Sequence, residues 1–190
     1  MILILNAHPS SESLCSSIAQ TYFDEALQQG HSVSQLNLHS LQFDLNLHEG
    51  YQKIQPLEPD LEMAWKLIQD AQHIVLIYPT WWGTMPALLK GFFDRVFLPG
   101  KAFKYRKDSP WWDKLLAGKT AHVITTMDTP PWYFRIIYRN AGVTTIRKNI
   151  LEFCGIKVRK ITLLGPVRNA SQSQLDKWIT QIKAFAKSGV

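Results

Sequence analysis

The run Ile74-Val75-Leu76-Ile77-Tyr78-Pro79-Thr80-Trp81-Trp82-Gly83-Thr84-Met85-Pro86, continued by residues 87–97, constrains the fold more than any other part of the chain. Five consecutive apolar residues, three of them β-branched, describe a strand buried on both faces. Pro79 stops it, because proline cannot donate to a sheet ladder. Pro86 sits where a helix can begin, with Thr84 as the expected cap. Leu89, Phe92, Phe93, Val96 and Phe97 then recur at helical spacing. The unit is strand, short loop, amphipathic helix, and its loop places Trp81 and Trp82 beside Gly83. Open α/β sheets bind ligands at the carboxyl ends of such strands. The two indoles therefore either line a ligand or plug the top of the core.

The rest of the chain repeats this alternation. Residues 1–5 form a short apolar strand and residues 6–13 a polar loop. Leu14, Ile18, Tyr22 and Ala26 then keep helical spacing up to Gly30, a good stop. A second strand is expected over 31–38, with Val33, Leu36 and Leu38 apolar. Residues 39–59, containing Pro56 and Pro59, read as loop, and Leu61, Trp65 and Ile68 mark a helix that ends at Ala71. Residues 100–118 read as a loop rich in lysine and aromatic residues. A fourth strand follows over 120–126, and residues 127–139 begin irregularly at Pro130-Pro131. Helical spacing returns at Ile146, Ile150 and Phe153 and ends at Gly155. Residues 157–164, half polar, are expected at a sheet edge, and residues 171–187 close the chain as an amphipathic helix.

Five strands alternating with helices predict a parallel sheet covered on both faces. Right-handed crossovers leave few arrangements, and the flavodoxin-like order 2-1-3-4-5 is the expected one. That order brings the loops after strands 1 and 3 together at the switch point. The 190 residues, 46% hydrophobic, suit a single domain over 1–190. No apolar run approaches a membrane span, and the amino terminus lacks a signal-peptide pattern. Two cysteines without CxxC spacing fit reduced thiols and a cytoplasmic setting. Charge is uneven: residues 1–60 hold one lysine against seven carboxylates, and the remainder holds twenty basic against eight acidic residues. A basic half attracts polyanions, including a phosphorylated cofactor. No nucleic-acid-binding pattern accompanies it, and the six scattered histidines form no metal-ligand cluster.

Three loops carry the chemistry. The first has four serines up to Ser16 and no glycine, so it fails the glycine-rich phosphate patterns. Hydroxyls and amides at a helix amino end can still hold a phosphate, with His8 as a further donor. Ser11 or Ser13 caps that helix in either case. The second loop offers aromatic faces and backbone amides. The third, Thr125-Thr126-Met127-Asp128-Thr129-Pro130-Pro131-Trp132-Tyr133, leaves the fourth strand at the same edge. A phosphate clamp flanked by rings suits a planar phosphorylated cofactor, and flavin is the natural candidate.

The chain resembles the flavodoxin-like NAD(P)H:quinone oxidoreductases, the DT-diaphorase group and its shorter bacterial relatives. The resemblance is carried by Asn6-Ala7-His8-Pro9 with Ser13, Pro79-Thr80-Trp81-Trp82, Pro86-Ala87-Leu88-Leu89-Lys90-Gly91 and Asp94-Arg95-Val96-Phe97. Thr125-Thr126 and Phe153-Cys154-Gly155 complete it. It implies that His8, Ser13, Leu14 and Cys15 surround flavin phosphates. Pro79, Thr80, Trp81, Trp82 and Gly83 would line the isoalloxazine ring, and Thr125, Thr126 and Met127 its pyrimidine side. Tyr133 falls at the family's active-site tyrosine, as a catalytic donor. Arg139 stands about where some relatives carry that tyrosine's histidine partner, or serves the phosphates of the nicotinamide nucleotide. Phe103 and Tyr105 match aromatics that reach the partner subunit's substrate site in a homodimer. Met127-Asp128 replaces the two glycines that often follow the paired threonines.

The implied activity is transfer of hydride from NADH or NADPH through the N5 atom of FAD, with FMN as the alternative, to a quinone. A nitro- or azo-compound reductase is the rival within enzymes. Some relatives are instead ancillary subunits of glutathione-gated potassium efflux channels, a role that docking of this basic surface to a channel subunit would serve. A flavodoxin-type electron carrier fits poorly with a net charge of +6, since such carriers are usually acidic.

Overall fold

The computed structural model describes residues 1–189. Strand β1 (Ile2–Asn6) is followed by helix α1 (Leu14–Gln28), β2 (Val33–Asn37), α2 (Pro59–Asp70), β3 (His73–Pro79) and α3 (Ala87–Val96). A short pair, β4 (Phe103–Tyr105) and β5 (Trp112–Lys114), precedes β6 (Thr120–Thr126) and α4 (Pro131–Ile136). Helix α5 (Ala141–Thr144) runs through a wide π-helical stretch (Thr145–Leu151) into α6 (Glu152–Cys154). Strand β7 (Lys157–Leu164) and α7 (Gln172–Ser188) complete the described chain.

Five strands form one parallel sheet in the order β2-β1-β3-β6-β7, the expected 2-1-3-4-5 order once the small pair is set aside. β3, apolar after its first residue His73, lies at the centre and is buried along its whole length. The half-polar β7 is an edge, as expected. Alternation along each strand divides the core. Leu3 and Leu5 of β1 with Ile74, Leu76 and Tyr78 of β3 face α2, α3 and the 141–154 helix. Ile2, Ile4, Val75 and Ile77 face α1 and α7, where Ile18, Tyr22, Trp178 and Ile182 cover them. Each such side chain contributes about 1.5–3 kcal/mol through burial.

Several local expectations are corrected. Thr84 does not cap α3. Its backbone pairs with that of Trp81, and Pro86 itself occupies the cap position. Residues 100–118 are not simply loop, because β4 and β5 form an antiparallel hairpin there. A loop reading was natural for three-residue strands that leave Lys104 and Tyr105 exposed. Within the irregular stretch 127–139, Pro131 at the first helical position starts α4.

Among the described residues Arg95 is the one arginine or lysine buried without any exposure, and it lies on the inner face of α3. Its guanidinium donates to the carbonyls of Asp44 and Pro56 and forks onto both carboxylate oxygens of Glu58, at 3.0 and 2.8 Å. This fork fastens the long 41–58 segment to the core. Among the described residues no helix is long and apolar enough to cross a membrane.

Candidate active site

Three segments leave the carboxyl ends of β1, β3 and β6 and surround a cavity of about 460 Å³, at the switch point of the sheet. The first is organised by Asn6, the buried last residue of β1. Its amide donates to Ser16 Oγ (3.1 Å) and Asn37 Oδ1 (3.2 Å), while its Oδ1 accepts from the His8 amide (3.2 Å). Ser13 caps α1 by accepting from the Ser16 amide at 3.2 Å. The first-turn amides at Leu14 and Cys15 have no helical acceptor by construction and carry the positive end of the helix dipole. His8 lies beside this end. Its Nδ1 lies 2.9 Å from the Ser10 amide and 3.1 Å from the Ser10 carbonyl, so Ser10 anchors the ring in either tautomer. Burial holds its pKa below the ordinary histidine value, so at neutral pH the His8 ring is uncharged.

Cys15 lines the same wall but is packed, with its Sγ 3.3 Å from Thr126 Oγ1. Burial pushes its thiol up to about 11, so it stays protonated and adds no negative charge beside an anion. No cluster of His, Cys, Asp or Glu among the described residues could hold a metal ion.

The second segment begins where Pro79 ends β3. The Thr80 amide donates to the Thr126 carbonyl (2.7 Å), and the Thr80 and Thr125 hydroxyls lie 2.7 Å apart, tying this segment to β6. Trp81 and Thr84 then exchange backbone bonds of 2.9 and 3.0 Å around Trp82 and Gly83, whose φ values are 51° and 77°. Positive φ at both central residues makes this a two-residue turn of the primed kind. It leaves the amides of Trp82 and Gly83 unused by the hairpin. A Cβ at Gly142 would lie 2.2 Å from the Gly83 carbonyl oxygen, so a glycine at the start of α5 is what lets the tryptophan hairpin dock.

The third segment carries Thr126 and Met127 on the wall, with Asp128 and Thr129 beyond them. Met127 accepts from the Val167 amide (3.0 Å) and donates to the Leu164 carbonyl (2.9 Å), so the loop after β7 buttresses it.

His8, Ser13, Leu14, Cys15, Pro79, Thr80, Trp81, Trp82, Gly83, Thr126 and Met127 thus line one cavity. Thr125 stands behind it, bonded to Thr80. Tyr133 is also set back, its ring 5.4 Å from that of Tyr138, and Tyr138 is the phenol on the wall. Arg139 is exposed, away from the wall, with φ of 50°. Phe103 and Tyr105 line a different cavity, of about 340 Å³, with Tyr51, Phe93 and Phe153. Phe103 does not reach outward, because its ring packs edge-on against Phe153 at 4.9 Å; Tyr105 is 61% exposed. Sequence reasoning missed Glu12, Tyr138 and Val167 as lining residues. Tyr138 was hidden because nothing in the sequence marks the left-handed pair Arg139-Asn140 that turns the chain back after it.

The parallel order, the switch-point cavity and the capped helix end facing it define an α/β ligand-binding domain of the flavodoxin class. The profile of the flavodoxin-like fold family matches residues 1–185, and the chain belongs to that family. It is 28% identical to the mouse (Mus musculus) ribosyldihydronicotinamide dehydrogenase [quinone], covering 98% of this chain and 92% of the relative. A protein from Streptococcus mutans of known crystal structure is 30% identical, with a TM-score of 0.82 and 98% of both chains covered. An FMN-dependent NADH-azoreductase from Bacillus anthracis, solved in complex with FMN, shares the fold at 18% identity, with a TM-score of 0.76 and 98% of both chains covered.

Proposed function

We propose that the protein is a flavin-dependent NAD(P)H:quinone oxidoreductase. One observation carries this reading: a single cavity has an anion-binding helix end at one side and an aromatic hairpin at the other, as a planar phosphorylated ligand requires. The mouse relative is named for a dihydronicotinamide donor and a quinone acceptor, and the Bacillus anthracis neighbour for FMN. A bound flavin would supply the hydride chemistry linking a dihydronicotinamide to a quinone. The chain's own residues position and polarise. The Leu14 and Cys15 amides, Ser13 and His8 hold phosphate. The Trp82 and Gly83 amides meet the ring system, and Trp81 and Trp82 wall it from water. Thr126 and Met127 support the opposite edge. Tyr138, backed by Tyr133, is the nearest phenol for charge developing on an acceptor oxygen. Arg139, exposed next to Tyr138, is the cation assigned to the donor's phosphates.

The cofactor is FAD in this reading, on the resemblance of the Phe103-Lys104-Tyr105 arm, with FMN as the alternative and NADPH or NADH as donor. The exposed Tyr105 and Trp111 on the β4–β5 arm suit a homodimer in which this arm reaches the partner's cavity. Sedimentation of an active monomer at assay concentration would remove that arrangement. The same chamber accepts other flat molecules, so nitro and azo compounds are secondary acceptors. The deciding assay is steady consumption of NADPH or NADH with a soluble quinone, with chromatography of the released cofactor. Parallel double-reciprocal lines are expected, since one chamber must release oxidised nucleotide before the quinone enters. Absence of turnover in flavin-loaded protein would favour a regulatory role at a channel instead.

A further inference from the structure

The cavity between α1 and the tryptophan hairpin leaves the basic surplus of the chain's second half without a role, because no lysine or arginine lines it. A second hollow, of about 210 Å³, gathers part of that surplus beside the edge strand β7. Arg135 of α4, Asn140 before α5, and Arg147 and Lys148 of the π-helical stretch line it. Val143 with Ile161 and Leu163 of β7 gives it an apolar side, and no carboxylate lines it. It shares no lining residue with the first cavity and takes none from the β4–β5 arm. Among the described residues, Arg135 and Lys148 have neither an ion pair nor a side-chain hydrogen bond. Arg147 gives only its Nε, to Glu152 at 2.9 Å, and keeps both terminal nitrogens free. The side-chain oxygen of Asn140 is buried and has no partner.

A solvated basic face is the simpler account of scattered cations at a sheet edge. It does not explain why cations from two separate helices line one hollow with no acid among them. A cleft of one sign of charge with an apolar wall focuses the field and concentrates counter-ions. The backbone serves the same convergence. Arg147 and Lys148 stand on a wide π-helical turn, a form found mostly at functional sites, and Asn140 is held in the left-handed region at φ 53°. We propose that this hollow is a second anion site, which takes the phosphoryl dianion of inorganic phosphate or of a small phosphate ester. The guanidinium groups of Arg135 and Arg147 fork onto phosphoryl oxygens, and Lys148 adds a point charge. The hydroxyl of hydrogen phosphate, or an alcohol of the ester, donates to Asn140 Oδ1. The volume lies below the roughly 300–1,000 Å³ of sites for drug-sized ligands, too small for a whole nucleotide. Bound phosphate ties α4 to the π-helical stretch and so stabilises the fold. The proposal stands on this hollow alone and does not depend on the oxidoreductase reading.

The test is calorimetric titration of inorganic phosphate into the flavin-incubated full chain, at an ionic strength held constant with sodium chloride. Saturable binding of one phosphate per chain is expected, with a melting temperature that rises with phosphate. The double variant Arg135→Gln/Lys148→Gln should weaken binding by about ten-fold or more and lose that rise. Without phosphate its melting temperature and its flavin affinity should match wild type, which separates loss of the site from loss of the fold. His8→Ala, in the first cavity, should leave phosphate affinity unchanged. Phosphate binding that is lost in His8→Ala and kept in the double variant would belong to the first cavity and overturn the proposal, whether or not flavin binds there. So would the absence of saturable binding at millimolar phosphate, or equal competition by chloride. Glycerol 3-phosphate binding more tightly than inorganic phosphate, through the same two cations, would support an ester as the occupant; the reverse order would support free phosphate.

Discussion

Trp82 is fully exposed and yet held in the left-handed region at φ 51°, a conformation that suits Asn or Gly and costs a large side chain about 1–2 kcal/mol. Nothing in the protein packs on its ring to repay that cost, so the strain belongs with the ligand the hairpin faces. Trp82→Asn should therefore stabilise the protein by about 0.5–1 kcal/mol in urea unfolding and at the same time weaken flavin affinity. A destabilised variant would show that the indole serves the fold. The phenols divide in a similar way. Tyr138 lines the cavity and Tyr133 stands behind it, so Tyr138→Phe should slow turnover by about ten-fold and Tyr133→Phe by less. Reversal of that order would restore Tyr133 as the donor. The serine-rich loop, the adjacent tryptophans and the paired threonines were legible in the sequence because each follows a strand that periodicity identifies. Tyr138 was not, because its place depends on the turn at Arg139 and Asn140, where no glycine announces positive φ.

At the scale of elements, a buried fork holds the most irregular part of the chain. Arg95 binds Glu58 and the carbonyls of Asp44 and Pro56, and Glu58 in turn accepts from the Asp44 amide at 3.1 Å. Arg95→Ala leaves the Asp44 and Pro56 carbonyls and Glu58 Oε2 without this donor and should cost about 3–5 kcal/mol, with early proteolysis within residues 44–58. Arg95→Lys, a single point charge in place of a fork, should recover only part of the loss. Unchanged stability of Arg95→Ala would show that water replaces the fork. Spacing alone puts Arg95 on the buried face of α3, among Phe92, Phe93 and Val96, but its partners lie 37 and more residues away, beyond any local pattern. The same limit explains the β4–β5 hairpin and the Trp81–Thr84 turn. Three-residue strands carry no measurable alternation, and a tryptophan at a primed-turn position breaks the rule by which such turns are recognised. The five long strands and the closing helix, whose periods span several residues, were read correctly.

For the whole molecule, sheet order followed from alternation and crossover handedness, and that order alone brings the three loops to one edge. Stability should carry a pH signature from the opposite edge. His73, at the start of β3, is buried, bonds Thr120 Oγ1 at 2.7 Å and leaves its Nε2 without a partner. Burial lowers its pKa to about 4. Its neutral form is favoured by folding, so the stability it contributes is complete above the unfolded value near 6.5 and is lost as pH falls toward 4. Unfolding free energy should drop by about 2–4 kcal/mol over that window, and His73→Leu should flatten the profile; an equal slope in the variant would place the dependence elsewhere. The central claim, however, is that the cavity between the α1 end and the tryptophan hairpin binds a flavin. Titration of the purified apoprotein into FAD and into FMN, followed by flavin fluorescence, tests it most directly. Saturable quenching at one flavin per chain, weakened by Trp82→Asn, is the expected result. Flavin fluorescence unchanged by the protein, with no yellow colour retained after gel filtration, would contradict it.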